Sequence, residues 1–154
     1  MHLVLTFEMP PTLNDQRNLA RANKFLSAQD KKYWTQKLAK GLAQQGIAHE
    51  FGGEVWAAAL FRATNMINRD PLDNVNAALK YILDAVVKHG TIRDDRARYI
   101  QQPFLTFWED CGENEPDVIL LISDAPLISR RVFNAMPDDR DEPTFGDLVA
   151  GASS

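Results

Sequence analysis

The chemistry in this chain gathers in the stretch RDPLDNVNAALKYILDAVVKHGTIRDDRAR, residues 69–98. Asp70 and Asp73 stand at the mouth of a predicted helix. Lys80 lies along it, and Asp94 and Asp95 follow it through a short loop. Carboxylate oxygens suit Mg²⁺, which binds through one or two carboxylates plus a substrate phosphate. Such an ion lowers the pKa of an attacking water and offsets charge on the leaving oxygen. A lysine nearby stabilises the developing charge or orients the nucleophile. Two acidic clusters joined by one helix, with Lys80 between them, point to metal-assisted phosphodiester hydrolysis.

Each of these residues also has a purely structural use. Aspartate is a favoured helix N-cap and proline a favoured first helical residue, so Asp70–Pro71 starts a helix. Asp73 then falls near the positive end of the dipole. Lys80 and Asp84 are an ordinary surface pair one turn apart. Gly90 closes the helix in a left-handed conformation, with Lys88 and His89 in the last turn, where cations are welcome. Asp94 and Asp95, beside Arg93 and Arg96, read equally as a solvated turn. The helix is about 27 Å long. The second acidic pair therefore approaches the first only if the following strand runs back beside the helix, or if it comes from a neighbouring subunit.

The remaining elements would hold this helix. On a helix starting at Pro71, the positions Val75, Ala78, Leu79, Ile82 and Val86 share one buried face. Residues 3–8 alternate as a strand and stop at Pro10–Pro11. Residues 12–28 read as a long loop or short helix. Ser27 is a candidate N-cap for a helix over 28–44, with Tyr33, Trp34, Leu38 and Leu42 inward. Residues 54–62 are apolar on both alternations, as in a central strand covered on both faces. Residues 97–108 read as an edge or bulged strand interrupted at Pro103. Residues 117–123, DVILLIS, are the clearest strand. From Pro126 the periodicity is lost, which predicts a mobile acidic tail. The expected architecture is α/β of the α+β type: a small mixed sheet of about four strands flanked by two main helices. Its nuclease-like domain spans 1–124, with a C-terminal extension over 125–154.

Composition sets outer limits. The 154 residues carry 45% hydrophobic and 25% charged side chains, as ordinary globular domains do. No apolar run approaches a membrane span, and Cys111 is the single cysteine; both suit a cytoplasmic protein without a membrane partner. The net charge is −4, with pI ≈ 5.3, which argues mildly against nucleic acid. Yet Arg17, Arg21, Lys24, Lys31, Lys32, Lys37 and Lys40 make the N-terminal third basic. Trp34, Trp56 and Trp108 are expected in the core.

RDPLDN, AALKYILDAV and RDDRARYI together resemble the RusA family of Holliday junction resolvases. That family's pattern is an acidic D-x-D-N box opening a helix, a helix lysine, and a D-D pair before a strand. PPTLN (residues 10–14) and FLSAQDKKYW (residues 25–34) resemble the family's N-terminal portion, and the likeness covers roughly residues 3–124. It implies a homodimer that nicks opposing strands of four-way DNA in paired, symmetric fashion, with Mg²⁺ as cofactor and Mn²⁺ as substitute. It further implies Asp70, Asp73 and Asp95 as catalytic metal ligands with Asp94 beside them, Lys80 as the supporting lysine, and Arg17, Arg21, Lys24, Lys31 and Lys32 gripping phosphates. The box here, D-P-L-D-N, is one residue longer than the family's. That departure motivates an alternative, a branched-DNA-binding protein with little or no cleavage. A third reading, from the acidic pI and tail, is a protein with no nucleic-acid partner.

Overall fold

The computed structural model describes residues 1–48, 50–64, 71–127 and 144–152, and of residues 13, 14 and 71–74 the backbone alone. In chain order these form β1 (His2–Glu8), α1 (Leu13–Ala22), α2 (Lys24–Gln44), β2 (Trp56–Ala63), α3 (Pro71–His89), β3 (Leu105–Asp110), β4 (Asp117–Ser123) and α4 (Phe145–Ala152). The four strands make one mixed sheet in the order β1-β4-β2-β3. β4 pairs antiparallel with both β1 and β2, whereas β2 and β3 run parallel, joined by α3 as a crossover. This is the expected α+β architecture, with a small sheet flanked by helices.

The alternation of β2 explains its central place. Ala57, Ala59, Phe61 and Ala63 face one core together with Leu5, Phe7, Leu120 and Ile122 from the sheet, Leu38 and Leu42 from α2, and Ile82 and Val86 from α3. Ala58 faces the other way, with Leu121. The inward stripe expected for α3 is met in full: Val75, Ala78, Leu79, Ile82 and Val86 are all buried. Gly90 ends the helix at φ +88°, where the backbone N–H groups of Gly90 and Thr91 return to Val87 and Val86.

Three segments differ from the sequence reading, and in a fourth, residues 13–22, the helix alternative holds. α2 begins at Lys24 rather than Ala28, because Asn23 adopts an extended conformation and its side chain accepts from the N–H groups of Phe25 and Leu26 at 2.8 and 3.4 Å. Ser27 is thus already helical, and Tyr33 is exposed. Residues 13–22 form a full helix, started by Asp15, whose carboxylate accepts from both N–H and O–H of Thr12 at 2.9 and 2.8 Å. Of the strand expected over 97–108, only Leu105 onward is a strand; residues 97–104 are a turn with one bridge, Ile100 to Val55. The C-terminal extension carries periodicity after all. Phe145, Leu148, Val149 and Ala152 share one face of α4 and pack on Ala58 and Leu121, giving the sheet its second core. Residues 128–143 of that extension lie outside the described set.

Candidate active site

Of the residues singled out by the sequence, helix α3 carries Asp73 and Lys80. Asp70 lies outside the described residues. Asp73 occupies the first turn of α3, seven positions and roughly 10 Å of helix before Lys80; its side chain also lies outside the described set. Lys80 is where the described groups converge. Its Nζ stands 2.9 Å from Asp84 Oδ1, one turn on, and donates a close, charge-assisted hydrogen bond to Asp95 Oδ2. Asp84 Oδ2 is in turn 3.4 Å from Lys31 Nζ of α2. An alternating chain, Lys31–Asp84–Lys80–Asp95, therefore runs from α2 across α3 to the loop beyond it.

Asp95 reaches the middle of α3 because the chain doubles back. Drawing level with Lys80 from the end of the helix means retracing about 14 Å, which four extended residues can span. The segment before β2 guides the return. Phe51 N–H donates to Thr91 C=O at 2.8 Å, Val55 N–H to Tyr99 C=O at 2.7 Å, and Gln101 N–H to Val55 C=O at 2.7 Å. Ile92 and Ile100 form parallel bridges with Phe51 and Val55. Of the two routes left open by the sequence, the return beside the helix brings Asp95 to Lys80 within one chain.

The two partners hold each other ionised. The hydrogen bond from Lys80 lowers the Asp95 pKa below its ordinary 3.8, against the opposing effect of partial burial. The bonds to Asp95 and then Asp84 raise that of Lys80 above 10.5. Lys80 is half exposed, so each pair contributes only about 0.2–1 kcal/mol to stability.

Asp94 also helps to lower the Asp95 pKa, but its own charge partner is Arg96 rather than Lys80. Its Oδ2 lies 3.2 Å from Arg96 Nε, and its Oδ1 accepts from the Arg96 N–H at 3.2 Å. It shapes its own turn, as the structural reading of the acidic pair allows.

Among the described residues, no three His, Cys, Asp or Glu side chains gather where they could hold a metal ion; Asp70 and the Asp73 side chain fall outside that set. The donor chemistry nevertheless fits Mg²⁺, since every acid concerned offers carboxylate oxygen. Asp95 is the acid that the returning loop lays against α3, where the Lys80 ammonium balances its charge.

The basic residues of the N-terminal third are exposed. Arg17 and Arg21 project from α1, and Lys24, Lys31 and Lys32 from α2. Lys31 joins the charge chain. Arg17, Arg21, Lys24 and Lys32 have no carboxylate partner among the described residues. Trp34 and Trp56 are half-buried, but Trp108 is 47% exposed because β3 is an edge strand. Sequence reasoning missed the link from Lys31 to Asp84, which only the packing of α2 on α3 creates. It also missed Arg93 and Arg98, whose guanidinium carbons lie 5.9 and 4.9 Å from the centre of the Tyr99 ring. Among the described residues no helix is long and apolar enough to cross a membrane. No protein-family model matches the chain, and no curated protein matches it either.

Proposed function

We propose that this protein is a Mg²⁺-dependent, structure-selective endodeoxyribonuclease of the RusA type. It resolves Holliday junctions or related branched DNA by paired, symmetric nicks, as a cytoplasmic homodimer. The observation that carries the reading is the meeting of Lys80 and Asp95, two residues of the RusA-like pattern fifteen positions apart in sequence. It joins the helix opened by the acidic box to the loop bearing the second acidic pair, and the charge chain continues to the basic shoulder through Lys31.

In this reading Asp70, Asp73 and Asp95, with Asp94 beside them, would hold the metal. Bound there, the ion supplies an activated water and charge stabilisation. Lys80 keeps Asp95 ionised and offers a cation to charge developing on the phosphate. The exposed cations of α1 and α2 hold the DNA backbone, setting affinity rather than sequence choice.

A labelled four-way junction incubated with the protein, with and without Mg²⁺, tests this. Paired nicks are expected with the metal, and none from Asp73→Asn that folds normally. Intact junctions at every salt concentration would overturn it. The second reading, a branched-DNA-binding protein without chemistry, draws support from Asp95 and Asp94 each being already neutralised, by Lys80 and Arg96. It expects junction binding at low salt with no cleavage, unweakened by Asp73→Asn.

A further inference from the structure

The loop that delivers Asp95 carries a second set of charges. Arg93, Arg96 and Arg98 are all exposed, but they are held differently. Arg96 is paired with Asp94 at 3.2 Å. Arg93 and Arg98 have no carboxylate partner among the described residues; instead, both lie against the ring of Tyr99. Their guanidinium carbons can be no further apart than those two ring distances combined, about one Debye length at 0.1 M salt. Like charges this close repel each other, and an anion between or above them relieves that repulsion.

The backbone that carries the ring is well anchored. Tyr99 C=O accepts from Val55 N–H at 2.7 Å, its N–H donates to Arg96 C=O at 2.8 Å, and the next residue bridges to Val55. Two planar, multi-donor cations are therefore carried on backbone fastened to the segment just before β2. Guanidinium groups suit phosphate, which they can bind in bidentate fashion. Duplex DNA offers one phosphate charge per roughly 1.7 Å of axis.

We propose that Arg93 and Arg98, held by Tyr99, form a phosphate-binding site for the DNA backbone. It is separate from the α1–α2 shoulder and lies on the same loop as Asp95. The inference rests on the nuclease reading for its ligand. In that role the two arginines seat a backbone phosphate a few residues from the acid that the reading assigns to chemistry, so they bind and orient without touching the reacting atoms.

The test is binding of a four-way junction and a linear duplex in EDTA, where no cleavage intrudes, across a salt series. Wild type is compared with the double variant Arg93→Gln, Arg98→Gln and with Arg93→Lys, Arg98→Lys. Each phosphate contact contributes about 0.9 to the slope of log K against log salt. The glutamine variant is expected to lose about 0.9 of slope, for the one phosphate the pair seats, and to bind roughly tenfold more weakly at low salt. The lysine variant, which keeps the charge, is expected to keep the slope. Circular dichroism and thermal melting confirm that each variant is folded. An unchanged slope in a folded glutamine variant, while wild type binds, overturns this inference and leaves the nuclease reading standing. A wild-type protein that binds neither DNA overturns both.

Discussion

Lys80 is the one described side chain that touches two acids at once, and its removal separates electrostatics from stability. Lys80→Met keeps the aliphatic stem but, among the described residues, leaves Asp84 with Lys31 alone and Asp95 with no cation partner. Nicking is expected to fall about 10²–10³-fold, whereas the melting temperature drops by a few degrees at most, since half-exposed pairs contribute about 1 kcal/mol or less. The pH dependence has a definite sign. The Asp95 carboxyl titrates below 3.8, so its contribution is complete above that value and is lost as pH falls through the lowered pKa. The Lys80 ammonium titrates above 10.5, so its contribution is complete below that value and is lost as pH rises through the raised pKa. The stability difference between wild type and Lys80→Met is therefore expected to be flat from about pH 5 to pH 9 and to shrink outside that range. Denaturant melts at several pH values check this; a maximum near neutrality would mean some other group sets the difference.

Among the elements, the caps and the last helix carry the clearest expectations. Asn23→Ala removes the side-chain oxygen that receives the first N–H groups of α2 and is expected to cost about 1 kcal/mol in urea unfolding. An eight-residue helix such as α4 is marginal in isolation, so tertiary packing holds it. Phe145 is buried against the second core and meets Phe107 edge-on, with ring centres 5.9 Å apart. Phe145→Ala is expected to cost about 3 kcal/mol and to raise binding of a hydrophobic dye as Ala58 and Leu121 are uncovered. No change in dye binding would mean that α4 stays docked through Leu148 alone. The sequence made α3 legible through one helical period closed at Gly90, and β4 through an unbroken apolar run from Val118 to Ile122. It hid the start of α2, because Ser27 and Asn23 are equally good caps and only the break after α1 decides between them. It hid α4 because four apolar residues within an acidic, Pro-rich extension are too few to reveal a period. Lys80 beside Asp95 was half legible: the residue types were in the sequence, but their meeting depends on Phe51 and Val55 steering the return strand.

For the molecule as a whole, the acidic net charge and the exposed basic shoulder make opposite demands. The shoulder acts locally, because charges more than about 8–10 Å from a phosphate are screened at physiological salt. Replacing Arg17, Arg21, Lys24 and Lys32 together by glutamine is expected to reduce the salt slope for junction binding by up to about 3.6, at roughly 0.9 per contact, while the fold persists because all four are exposed. A slope unmoved by this change would place the DNA on another face. The nuclease reading, with its paired nicks, requires two copies of the site and so expects light scattering to give twice the chain mass at working concentrations.

The run of alanines in β2 has a consequence for the charged chain above it. Ala57 and Ala59 are sealed from solvent in the same core as α3, so the thinness of their side chains determines how low that helix sits over the sheet. The loop bearing Asp95 is fastened separately, to the backbone at Phe51 and Val55. A single added methyl or two, as in Ala59→Val, would lift the helix without lifting the loop. The gap between ammonium and carboxylate would widen from beneath, and a residue with no polar atom in its side chain would loosen a charge pair at the surface.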